Sequence, residues 1–144
     1  MGLGLLFFAV SMNSILSYQK NVNLFLGEQQ YINSSISEFK FLDLENIKAS
    51  NHDVISAEIF LVHDGQPIYL NPEKRKYFAR GQITSETAIH ATVLKDTYLT
   101  IGDQLDDGSW TFSLQINYFI KWIWLSSALM VMGISMTIFK KKIL

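Results

Sequence analysis

The sequence predicts a membrane protein of the α+β class, in which two transmembrane helices flank a small antiparallel all-β domain, a barrel or a sandwich, that faces outward. Three observations predict it. Apolar segments without an acid frame the chain, "GLGLLFFAVSMNSILS" at 2–17 and "YFIKWIWLSSALMVMGISMTIF" at 118–139. All thirteen acids lie between them, from Glu28 to Asp107. The stretch that carries those acids alternates apolar and polar residues between turn signals, the period of half-buried strands.

The first segment, 1–17, is short for a bilayer crossing. A signal peptide would begin with a basic stretch, whereas Met1 runs directly into Gly2, Leu3 and Gly4. A helix already under way where this sequence starts is the expected element, and Gly2, Gly4, Ala9 and Ser11 are small enough to let a second helix approach.

Residues 18–117 form the expected β domain. "NVNLFL" and "SEFKFLDLENIK" are strand candidates, and "AEIFLVHDGQPIYL" is a hairpin turning at Asp64-Gly65, residues that tolerate positive φ. "KYFAR" is a further strand. "TSETAIHATVLKD" is ambiguous, since Thr84 or Ser85 could cap a short helix over 86–94. "TYLTIG", the "DDG" turn and "SWTFSLQINY" close the domain as a hairpin, with Trp110, Phe112, Leu114, Ile116 and Tyr118 on one face of the last strand.

The second apolar segment, 118–139, has the roughly 20 residues that a span requires. Lys121 near its start can snorkel, and Tyr118, Trp122 and Trp124 stand where amphipathic rings prefer the interface. The basic tail "KKKIL" at 140–144 places the C-terminus in the cytoplasm or mitochondrial matrix. Two spans then put the β domain on the outer side of a bacterial or mitochondrial inner membrane. Its eight bases against thirteen acids leave it at minus five.

Several chemistries are excluded or unsupported. Without cysteine there is no disulfide framework, thiolate metal site or cysteine nucleophile. His52, His63 and His90 lack ligand spacing, and His63 belongs to a turn where a polar residue is expected, so no metal site is assigned. No phosphate-binding loop or serine nucleophile setting exists, and no catalytic residue is identified.

The run "NPEKRKYFARG" at 71–81 gathers five charges. An acidic outward domain makes it a poor nucleic-acid patch, and no nucleic-acid partner is expected. On a strand, Glu73, Arg75 and Tyr77 share one face and Lys74 and Lys76 the other, so the run can be edge protection. It can equally be a contact surface: Glu73, Lys74, Arg75, Tyr77 and Arg80 are the candidate residues, with arginine suited to a bidentate carboxylate such as a haem propionate or an acidic partner.

From "PEKR" and Tyr77 through the Ser-Glu-Thr-Ala-Ile string at 85–89, Asp96, Tyr98, Gly102, "DGSW" and "WIW", the chain resembles the C-terminal region of the CcmF family, the haem lyase subunit of the multi-component cytochrome c maturation pathway. Residues 18–50 match weakly, and Tyr118 stands where the family usually has proline. The resemblance implies the terminal part of a haem lyase, a membrane-anchored β platform that helps attach haem covalently to apocytochrome c. The expected partners are the remainder of the lyase or its other subunits, the haem chaperone and apocytochrome c. It places the family's nearest haem-ligating histidine just before Met1, matches none of the three histidines here, and so implies haem only as cofactor or substrate of the parent complex. Such a chain would be a truncated frame or one half of a split gene. The alternative is an independent membrane-anchored interaction module with no haem role.

Overall fold

The computed structural model describes residues 2–79 and 81–143, with side chains up to Ile138. Its elements run α1 (Gly2–Leu16), β1 (Tyr18–Leu24), β2 (Gln29–Gln30), β3 (Ile36–Lys48), β4 (His52–His63), β5 (Gln66–Leu70), β6 (Glu73–Tyr77), β7 (Ile83–Glu86), β8 (Ala88–Ala91), β9 (Lys95–Gln104), β10 (Trp110–Tyr118) and α2 (Ile120–Ile143). They divide into two compact units: one of Gln19–His90 with Thr97–Gln115, the other of Met1–Tyr18, Ala91–Asp96 and Ile116–Leu144.

The larger unit resolves the choice between barrel and sandwich in favour of an antiparallel β-sandwich. One sheet has the order β1-β10-β9-β8, the other β2-β3-β4-β6-β7. The long β4 serves two partners along its length, β6 against His52–Ser56 and β5 against Ile59–His63. Inward side chains make the core: Phe39, Phe41, Ile59 and Leu61 from one sheet, and Leu99, Ile101, Phe112 and Leu114 from the other, are fully buried. Phe112 meets Phe41 edge-on at a 5.0 Å centroid separation and Phe39 at 6.1 Å. These are the offsets that the ring quadrupoles favour.

Turn chemistry follows the local sequence. Asp64 and Gly65 have φ of 49° and 75°, the pair of positive values that a two-residue hairpin turn demands. At the other hairpin, Ser109 donates from its backbone N–H (2.9 Å) and its Oγ (2.6 Å) to Asp107 Oδ1. These bonds lower the Asp107 pKa. The stability they contribute is present above the ordinary carboxyl value and is lost as pH falls through the lowered one.

The structure corrects two expectations. The stretch 84–94 forms no helix: Ile83–Glu86 pairs with β6, and Ala88–Ala91 is a strand of the other sheet. Its β-branched residues Thr84, Thr87, Ile89, Thr92 and Val93 fit a pleated surface, and cross-strand pairing overrides the cap signal. His63, expected within the turn, lies just ahead of it. It ends β4 with its side chain fully buried, Nδ1 lying 3.3 Å from Thr97 Oγ1.

In the smaller unit α1 packs on α2. Ala9 and Ser126 are fully buried. A Cβ on Gly2 would fall 2.6 Å from Met130 Cγ and 3.2 Å from the Ser126 carbonyl oxygen, so only glycine permits that approach. The remaining faces are apolar and open, including Phe7, Trp124, Val131 and Met136. Among the described residues, only α2 holds a stretch long and apolar enough to cross a bilayer, Ile120–Ile138. With 15 residues, α1 is about 22 Å long, less than the hydrocarbon layer of about 30 Å.

Residues 92–96 grip the start of α2. Phe119, with φ of 60°, donates its N–H to the Leu94 carbonyl and caps the helix by accepting from the N–H groups of Trp122 and Ile123. Lys121 donates to the Thr92 carbonyl at 2.7 Å and stands 3.7 Å from Asp96, while the Trp122 indole donates to the Val93 carbonyl. Lys121 is therefore tethered rather than extended freely. Tyr118 donates its backbone N–H to Asn13 Oδ1, a bond that a proline at this position could not make.

Candidate functional site

The charged run lies on β6, whose residues are register partners of β4 on one side and β7 on the other. A strand paired on both sides needs no edge protection, so that account of the charge does not apply to it. Strand alternation instead divides the run into two sets with different surroundings.

On the outer face, register sets Glu73 directly opposite Glu86, a like-charge pair that would repel. Arg75, two residues along, bridges them. Its Nη2 lies 2.9 Å from Glu73 Oε2 and its Nη1 lies 2.9 Å from Glu86 Oε1. The bond to Glu73, followed by one to Tyr77 and by the charge of Glu86, raises the guanidinium pKa above its ordinary value. The cation therefore persists over the whole physiological range, and its contribution is lost only as pH rises through a value above the ordinary guanidinium range. Tyr77 also stacks against His52, with centroids 5.2 Å apart.

On the inner face the neighbours differ. Asn46, Ile55, Lys74 and Ser85 form one cross-strand row, and Lys48, Asp53, Lys76 and Ile83 form the next. Further along β4, Ala57, Ile59 and Leu61 on the same face are core. The inner surface thus turns from apolar to charged at one end of the sandwich. There it opposes Asp103, Gln104 and Trp110 of the other sheet across a cleft of about 240 Å³. Lys74, with a side chain only 13% exposed, pairs with Asp103 and donates to the Gly102 carbonyl at 3.3 Å. It ties the two sheets together at the mouth.

Of the five candidate residues, four are placed and Arg80 lies outside the described residues. Glu73, Arg75 and Tyr77 come together in the outer network, and Lys74 belongs to the cleft. Sequence reading did not find Asp103 or Trp110 as neighbours of the run. No local signal could have revealed them, because they face Lys74 only once the two sheets stack. His52, His63 and His90 lie on β4 and β8, and the described residues contain no group of three potential metal ligands.

Two stacked antiparallel sheets, carrying a charged strand inside one of them and continuing in sequence into apolar helices, define an antiparallel β-sandwich module of α+β type. The family described as "CcmF C-terminal beta-sandwich" matches residues 15–118, and the chain belongs to it. It is 28% identical to the cytochrome c-type biogenesis protein CcmF of Haemophilus influenzae over 99% of this chain and 22% of that protein. It is 28% identical to the Escherichia coli protein of the same name over 92% of this chain and 20% of that protein. A probable cytochrome c-type biogenesis protein NrfE of Escherichia coli is 30% identical over 90% of this chain. The solved structure titled "Cytochrome c Heme Lyase CcmF" superposes with a TM-score of 0.70 at 10% identity, covering 92% of this chain and 22% of that one, and supports the fold. The chain spans about a fifth of the length of these relatives.

Proposed function

We propose that this chain serves as the C-terminal part of a cytochrome c haem lyase. In this reading it contributes a membrane-anchored β-sandwich platform to the complex that attaches haem covalently to apocytochrome c. The family match over residues 15–118 carries the proposal. Haem is then the group handled by the whole complex, and no residue here is assigned as its axial ligand. The partners are the rest of the lyase or its other subunits, with the haem chaperone and apocytochrome c presented beside the platform.

The open apolar faces of α1 and α2 support insertion of both helices in an inner membrane, because so much exposed apolar surface is unfavourable in water. The basic residues Lys140 to Lys142 support a cytoplasmic C-terminus with the sandwich outward. Cysteines placed singly at Asp106, in the hairpin loop between β9 and β10, and at Leu144 test this orientation. An impermeant maleimide added to intact cells should label the first and spare the second, and equal labelling of both would sink it.

The functional reading predicts that the affinity-tagged chain, gently solubilised from its own membranes, brings down other cytochrome c maturation proteins. Recovery of the intact chain with unrelated membrane partners, and without any of these, would replace the lyase role by an independent interaction module.

A further inference from the structure

The short loop at 92–94 joins β8 to β9 and turns two aliphatic side chains outward, Val93 at 70% exposed and Leu94 at 51%. We propose that this loop is a lipid-inserted foot: Val93 and Leu94 enter the leaflet around the first turn of α2 and fix the depth at which the smaller unit sits in the bilayer. The inference rests on the reading of α2 as a membrane span and adds a second point of insertion to it.

Position argues first. Phe119 donates its N–H to the Leu94 carbonyl at 2.8 Å, the Lys121 ammonium donates to the Thr92 carbonyl at 2.7 Å, and the Trp122 indole donates to the Val93 carbonyl at 3.2 Å. The loop therefore stands level with Lys121 and Trp122, where the apolar stretch Ile120–Ile138 begins. Lysine stems and tryptophan rings prefer that boundary in a bilayer. Residues three and four apart share a helix face, so Leu125 lies one turn beneath Lys121 and Trp122, followed by Leu129, Met132 and Met136. These four are between 40% and 71% exposed. Below the loop, then, α2 is bare apolar surface that acyl chains cover once the helix spans.

The backbone argues next. A loop in water can leave its carbonyls to the solvent, whereas an unpaired one at the edge of hydrocarbon is strongly unfavourable. Here the carbonyls of Thr92, Val93 and Leu94 all accept from the start of α2, and that of Lys95 accepts from the Thr92 N–H and Oγ1, each at 2.8 Å. Among the described residues the backbone N–H groups of Val93 and Leu94 have no partner. Both are donors, and the phosphate and ester oxygens of lipid headgroups are acceptors. A protein groove for these two side chains would have to aim acceptors at two adjacent N–H groups, while a headgroup layer offers them on every side. Charge agrees. Asp96 is the single acid of the smaller unit. Its side chain is only 9% exposed, and its Oδ1, without a hydrogen-bond partner among the described residues, stands 3.7 Å from the Lys121 ammonium. The carboxylate is thus kept from the bilayer with its counter-charge beside it. Side chains of an interfacial segment reach roughly 5–10 Å into the boundary between headgroups and acyl chains, a depth that a two-residue foot can use.

The chain has no cysteine, so single cysteines at Val93, Leu94, Met132 and Asp106 can each carry a nitroxide. The full chain is reconstituted in vesicles of phosphatidylcholine and phosphatidylglycerol. Electron paramagnetic resonance with oxygen and a nickel chelate as relaxation agents reads depth, because oxygen concentrates in lipid and the chelate in water. Met132, well inside the span, and Asp106, in the loop between β9 and β10, set the two limits. Labels at 93 and 94 should favour oxygen several-fold more than the label at 106, and less than that at 132. Leu94→Ser should lower the oxygen preference at 93 several-fold, which a label inserting on its own would not show. Since both side chains are exposed, a circular dichroism spectrum matching that of the unlabelled chain verifies the fold. Chelate access at 93 and 94 equal to that at 106 would overturn the proposal, and so would an unchanged ratio in L94S. Poor access to both reagents would also overturn it, by seating the loop against protein. In each case oxygen preference at 132 would leave the span standing, whereas chelate preference at 132 would remove the span and the foot with it.

Discussion

Replacing Phe112 with alanine is expected to destabilise the sandwich by about 3–5 kcal/mol, a large share of the roughly 5–15 kcal/mol that holds a domain together. Its ring is fully buried and touches Phe39 and Phe41, so it comes from β10 and fills the space against β3. Truncation removes both edge-to-face contacts and leaves a cavity into which the two remaining rings, Phe39 and Phe41, held on β3, cannot collapse. Thermal unfolding followed by near-ultraviolet circular dichroism should show a greatly lowered midpoint, and Phe112→Leu should lose much less. A midpoint for F112A within the scatter of surface variants would mean that the two sheets do not pack through this ring.

Arg75→Glu is expected to be nearly as severe, for an electrostatic reason. The register already places Glu73 opposite Glu86, and the Arg75 guanidinium is what holds the two carboxylates in place. Reversal would put three acids on one face of two adjoining strands, where like charges directly opposed destabilise the pairing. The β6-β7 pair should open, and the amount of folded chain in the membrane should fall several-fold. Arg75→Lys should fall between, because a single ammonium cannot reproduce two fork-like contacts. The triple change Arg75→Gln, Glu73→Gln, Glu86→Gln should recover much of the folded chain. Quantitative immunoblotting of membranes reads the levels. Normal levels of R75E together with lost cytochrome c maturation would assign Arg75 to partner contact instead, and normal levels with normal maturation would leave it as a solvated charge.

Much of this fold can be read locally. The alternation in "SWTFSLQINY" predicts β10 and its buried face, and Phe112 and Leu114 are indeed core. Asp64-Gly65 predicts its hairpin because positive φ is a property of those residues. What resists reading depends on register. The pairing of β3 with β4 shifts between Phe41 and Asp43, so the inward positions change from Phe39 and Phe41 to Leu44 and Asn46, and no residue type announces that change. The candidate site behaves the same way. That Arg75 and Lys74 point to opposite faces follows from strand period, but their partners, Glu86 and Asp103, are set by pairing and by stacking between sheets.

The sheet order β1-β10-β9-β8 makes the first strand of the domain a neighbour of its last. During synthesis β1 emerges early and has no partner until nearly the whole domain has followed it. Closing that long loop costs entropy before any ladder bond forms, which makes the step slow. Until then the chain presents an unpaired edge to whatever is nearby. Since β10 leads directly into α2, the arrival of the final strand and that of the final apolar helix are nearly the same event. The four-stranded sheet can therefore be completed only once β10 and the start of α2 have been made, and a chaperone that shields β1 in the interval would act on the step with the greatest risk of mispairing.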